Sequence, residues 1–244
     1  MLDMRLLGDA FPRPLRFDNA PYNVLARSNT SPENVMNRIV GGTETGGPLD
    51  YQALISFRTS SGTNDRYKCG GVLIDPVVVL TAAHCDAGVN GVYDIFLNAY
   101  DMDDLTDGSV EYRQVVEDLQ HPDYYRDEMD APNWDFRLLK LDSPVHTVSP
   151  ILLDSGNITL EAGQKLVVSG WGTTIYQGQI SDLLLQAELA YVEPSVCNDS
   201  FPFVNIDDVE LCAHSDTSNA CQVRNVETDV FPSGYVANFC CITL

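Results

Sequence analysis

The sequence predicts an all-β fold, a barrel or a sandwich, and three observations carry that prediction. The apolar residues fall in short runs separated by Gly, Pro, Asn and Asp, which suits strands joined by turns. Helical periodicity is scarce. The chain is 244 residues long and 44% hydrophobic, enough to bury a sizeable core as one large all-β domain or two small ones.

Residues 1–38 are polar, contain proline and lack periodicity, and read as a leader. The first strand candidate is Ala53-Leu54-Ile55-Ser56-Phe57, and the second is Gly71-Val72-Leu73-Ile74. The run Val77-Val78-Val79-Leu80 leads straight into Thr81-Ala82-Ala83-His84-Cys85, and Tyr93-Asp94-Ile95-Phe96-Leu97 follows. Asp101, Asp103, Asp104, Asp107 and Glu111 are expected in a loop between strands. Calcium would need a full cage of oxygen ligands, and so acidic a chain supplies such runs without one; no metal or cofactor is expected. Asp135 opens the run Phe136-Arg137-Leu138-Leu139-Lys140-Leu141. Lys165–Ser169, Gln186–Val192 and Val209–Ala213 read as further strands, with a short helical turn at Pro194–Ser200.

The charge balance narrows the partners. Fourteen Lys+Arg against 35 Asp+Glu give a net charge of −21, a surface that repels nucleic acid and anionic membranes. No stretch is long and apolar enough to span a membrane as a helix, and Met1–Pro14 has no apolar core of the signal-peptide kind. The seven cysteines are an odd number, which in a secreted protein means a free thiol, an intermolecular bridge or an incomplete chain. Asn29, Asn157 and Asn198 begin N-glycosylation patterns, which are short enough to occur by chance.

The sequence around His84, with a matching cysteine upstream in Cys69-Gly70-Gly71-Val72-Leu73, resembles the His motif of the chymotrypsin/trypsin family of serine endopeptidases (peptidase S1). The resemblance recurs in order along the chain. Arg38-Ile39-Val40-Gly41-Gly42 resembles the family's activation site, where cleavage frees a new N-terminal Ile. His121-Pro122-Asp123-Tyr124 resembles its His-Pro-x-Tyr turn, and Ser169-Gly170-Trp171-Gly172 a segment of its second barrel. The stretch from Asp135 to Leu141 resembles the Asp motif, with Arg137 in place of the usual Ala. The resemblance implies two six-stranded antiparallel β-barrels, the second truncated or altered at its C-terminus. It implies disulfides Cys69–Cys85, closing a loop for roughly 3 kcal/mol in the chain-entropy model, and Cys197–Cys212. It also implies His84 as general base, Asp135 as the carboxylate that orients it, zymogen cleavage between Arg38 and Ile39, a protein or peptide substrate, an activating protease, a monomer and a secreted location. The implied organisation is a leader over 1–38, an incomplete protease domain over 39–221 and a divergent tail over 222–244.

The pattern breaks after Cys221. The family continues into Gly-Asp-Ser-Gly-Gly-Pro, but here Cys221-Gln222 runs into Val223-Arg224-Asn225-Val226-Glu227 and the hexapeptide occurs nowhere. Ser233 is the one serine beyond Cys221, and it lacks the flanking glycines and preceding Asp. Nucleophile and oxyanion hole would go together, and preorganised donors in that hole are usually a large part of the rate. The Asp that receives the freed Ile amine would also be missing. Counting from Cys221, the base of the primary specificity pocket falls on Asn219, a neutral residue that argues against strong Lys/Arg selectivity. Val-Arg can be encoded by a consensus intron start, so a retained intron would produce this abrupt change.

The expectation is therefore a serine-type endopeptidase homologue that is inactive as written. The alternatives are a non-catalytic homologue that binds proteins, or an aberrant splice or gene-model product.

Overall fold

The computed structural model describes residues 42–58, 67–126, 132–154, 158–172, 180–200, 210–215 and 239–243. The chain divides into two compact units. Of the described residues, the first unit takes those within 48–100 and 104–159, and the second takes 42–47, 101–103 and those from Leu160 onward.

The first unit holds a closed six-stranded barrel. Its strands are β2 (Gln52–Arg58), β3 (Tyr67–Asp75), β4 (Val78–Thr81), β5 (Val92–Leu97), β6 (Glu111–Gln120) and β9 (Arg137–Leu141). They close in the order β2-β3-β4-β9-β6-β5, and every pairing is antiparallel. Alternate residues fill the inside: Ala53, Ile55 and Phe57 of β2 meet Tyr93, Ile95 and Leu97 of β5, with Leu73, Val79, Leu139 and Leu141. This period of two is the strand signature, and each such aliphatic or Phe side chain contributes roughly 1.5–3 kcal/mol on burial. The opposite faces are used too: Ile74, Val78 and Leu138 are buried in a second cluster with Ile151 and Leu153 packed against it. Because β2 and β4 are covered on both sides, they read as continuous apolar runs.

Gly71 is required by the closeness of the barrel strands. A Cβ there would sit 2.8 Å from both Ile55 Cδ1 and Val79 Cγ1, and 3.0 Å from the Leu80 carbonyl oxygen. A small two-stranded sheet, β7 (Tyr125–Arg126) and β8 (Pro132–Asn133), also belongs to this unit.

One element departs from the sequence-based expectation. Glu111, expected in an acidic loop, instead begins β6. Its carboxylate accepts hydrogen bonds from the backbone N–H groups of His146 and Thr147, from the Thr147 hydroxyl and from Arg113. A carboxylate occupied in this way tethers the 146–147 segment to the barrel.

The second unit holds β1 (Thr43–Glu44), β10 (Lys165–Gly170), β11 (Leu185–Val192), the helix α1 (Pro194–Ser200), β12 (Glu210–His214) and β13 (Phe239–Thr243). The five strands form one sheet in the order β1-β11-β12-β13, with β10 also paired to β11. Leu189, Leu211 and Ala213 are its buried centre. α1 starts with Pro194, whose fixed φ and missing N–H suit a first helical position. The last described strand completes this sheet: β13 pairs antiparallel with the whole of β12, from Glu210↔Thr243 to His214↔Phe239.

Both expected disulfides form. Cys69–Cys85 spans a Cα–Cα distance of 6.3 Å and Cys197–Cys212 one of 6.4 Å, within the ordinary range.

Candidate active site

The register of one strand pair brings the two motif residues together. In the antiparallel β4–β9 ladder, Thr81, the last residue of β4, lies opposite Arg137, the first of β9. The chain leaving β4 and the chain entering β9 therefore lie at the same end of the barrel. His84 comes three residues after Thr81, and Asp135 two residues before Arg137.

The turn bearing His84 is fixed from several sides. Cys85 is covalently bound to Cys69 of β3, and its N–H donates to the Ala82 carbonyl at 3.2 Å. The Thr81 hydroxyl donates to the Gly70 carbonyl at 2.8 Å. The Tyr93 hydroxyl donates to the Cys85 carbonyl at 3.2 Å and accepts from the Ala87 N–H at 2.8 Å. Burial pushes the Tyr93 phenol up, against the opposing effect of the Ala87 N–H, so it remains a donor at neutral pH.

Asp135 grips His84 with both carboxylate oxygens. Oδ2 lies 2.6 Å from the imidazole Nδ1, and Oδ1 accepts the His84 backbone N–H at 2.8 Å. The carboxylate is 5% exposed and the imidazole 46%. Burial alone would push the Asp135 carboxyl up. Hydrogen bonds from the His84 ring and backbone, the His84 charge and the Ala83 N–H outweigh it and hold the carboxyl below its ordinary value. Asp135 is therefore ionised at neutral pH and can only accept. In the neutral ring this places the proton on Nδ1 and the lone pair on Nε2, the tautomer of a proton acceptor.

The segment before Asp135 is unusual. Trp134 adopts a left-handed backbone with φ 53°, uncommon for a bulky residue and costly by about 1–3 kcal/mol. Its indole stacks on the His121 ring, with centroids 4.8 Å apart and planes 12° from parallel. The His121 N–H donates to the Phe136 carbonyl at 2.9 Å, and the Phe136 N–H to the Trp134 carbonyl at 2.8 Å. The His-Pro-Asp-Tyr turn is thus structural, and it braces the loop that presents Asp135.

The structure brings together His84, Asp135, Cys69 and Cys85 of the sequence-derived site residues, and joins Cys197 to Cys212 in the second unit. Arg38, Ile39, Asn219, Cys221 and the stretch up to Asn238 lie outside the described residues, so the expectations resting on them are neither met nor overturned. Sequence reasoning missed the bracing of Asp135 by Trp134 and His121. The signal available was Trp134 itself, placed between the His-Pro turn and the Asp motif.

The trypsin family profile matches residues 39–223, and the chain belongs to that family. It is 29% identical over 84% of its length to phenoloxidase-activating enzyme 1 of Spodoptera litura, and 31% identical over 67% to human chymotrypsin-like elastase family member 1. These alignments span 57% and 63% of the two curated relatives' own lengths. Among solved structures, the one titled "Structure of GrC" matches with a TM-score of 0.64 and 26% identity, covering 75% of this chain and 78% of that one.

Proposed function

We propose that this chain is a serine-endopeptidase homologue in which His84 and Asp135 form the proton-transfer half of a peptide-bond-hydrolysing site. The observation that carries the reading is the buried, ionised Asp135 holding Nδ1 of a half-exposed imidazole at 2.6 Å. In the mechanism that this family uses, the imidazole takes a serine proton as the hydroxyl attacks the carbonyl, then returns it to the leaving amine. The substrate class is protein or peptide. Activation by cleavage between Arg38 and Ile39, an Asn219-based specificity pocket and the division into leader (1–38), protease domain (39–221) and tail (222–244) belong to the same reading. Its two disulfides suit an oxidising, extracellular location.

The sequence lacks Gly-Asp-Ser-Gly-Gly-Pro, so the chain as written is expected not to hydrolyse peptides unaided. A protein-binding homologue that retains the fold is the second reading, but replacement of a whole segment, with His84 and Asp135 kept, favours a splicing or gene-model origin over it. Treating the purified 244-residue protein with a fluorophosphonate probe tests the first point: no labelling is expected, and stoichiometric labelling would sink the inactive reading. Sequencing transcripts across the Gln222 codon tests its origin. Splicing into Gly-Asp-Ser-Gly-Gly-Pro would make this chain an alternative product of an active peptidase, and translation of the Val223–Leu244 tail would leave the binding reading.

A further inference from the structure

We propose that Arg137 is a positioning residue for His84: its buried guanidinium ties the turn that carries the imidazole to strand β6. The proposal rests on reading His84–Asp135 as a proton-transfer pair.

Arg137 is 4% exposed, and a charge so buried is retained only where partners surround it. Nη1 donates to Asp118. Nη2 donates to Gln120 Oε1 at 2.7 Å and to Asp86 Oδ1 at 3.0 Å, with the Ala83 carbonyl oxygen 3.5 Å away. Asp118 and Gln120 belong to β6, whereas Ala83 and Asp86 flank His84 on its turn. One planar group thus reaches both elements at once. Nε is buried with no partner among the described residues, so the side chain is oriented by its two outer nitrogens.

The guanidinium fork makes this link directional. A lysine would place a single ammonium on a flexible stem and could not hold both ends in fixed directions. The His84–Asp135 contact tolerates little drift, because a hydrogen bond weakens steeply as its angle and distance depart from ideal. Lys140 and Glu117, 3.1 Å apart, also join β9 to β6. They supply the control.

The test is NMR of the His84 Nδ1 proton in the full chain, assigned by its loss in His84→Gln, with thermal melting recorded for each variant. The wild type is expected to show a slowly exchanging downfield signal, and Glu117→Gln to keep it. Arg137→Ala and Arg137→Lys are expected to lose it. So is Asp86→Ala, which removes the acceptor from a half-exposed position and leaves the barrel core untouched. Should Arg137→Ala not fold, Asp86→Ala decides. A wild-type signal that survives in folded Asp86→Ala, or that Glu117→Gln abolishes equally, overturns the positioning role alone. Absence of the signal in the wild type overturns the pairing itself, and this proposal with it.

Discussion

Thr81 and Arg137 face each other across the β4–β9 ladder, and the chain segments leaving that pair carry His84 and Asp135. The distance between imidazole and carboxylate is therefore set by backbone pairing inside one barrel.

Replacing Asp135 with Asn should flatten the acid limb of the stability curve. Hydrogen bonds to His84 and Ala83 hold the folded carboxyl below its unfolded value. The ionised form thus contributes stability above the unfolded pKa of about 3.9, and that contribution is lost as pH falls through the lower folded value. Urea denaturation between about pH 2 and pH 7 should show the wild type losing stability over the acid range while Asp135→Asn changes less. At neutral pH the variant should be less stable by about 1.5–3 kcal/mol. Parallel curves would contradict the account.

Breaking Cys69–Cys85 by a paired Cys→Ala substitution should lower stability by about 3 kcal/mol, the loop-closure value for a separation of 16 residues. Chemical denaturation measures it directly. A loss below about 1 kcal/mol would mean that the turn at His84 is held by Tyr93 and its other contacts, not by the covalent link.

Gly71→Ala should destabilise the barrel by about 1–3 kcal/mol, because the added methyl would overlap Ile55 and Val79 and crowd the Leu80 carbonyl. Gly47→Ala, with nothing within 4 Å of the added atom, should stay within about 0.5 kcal/mol of wild type. Equal melting temperatures for the two variants would show that β2, β3 and β4 are less closely packed than described.

Removing residues 239–244 should bare one edge of β12. An unpaired edge invites faster amide exchange and intermolecular pairing. Hydrogen-exchange mass spectrometry should show residues 210–214 exchanging faster in the shortened chain, while peptides from β2 and β5 do not change. Unchanged exchange at 210–214 would remove β13 from the sheet.

Much of this architecture could be read from the sequence because β2, β4, β5 and β9 are apolar on the barrel side, and His84 and Asp135 sit at the ends of such runs. β6 could not. Its residues alternate weakly, and its C-terminal half is exposed, so Glu117, Asp118 and Gln120 look like loop chemistry. Arg137 stands out as a departure from the family pattern, yet its partners Asp86 and Asp118 belong to different segments, and only the register of three strands places all of them together.

Because His84 and Asp135 lie on the segments that leave β4 and enter β9, the register of one strand pair carries both members of the site.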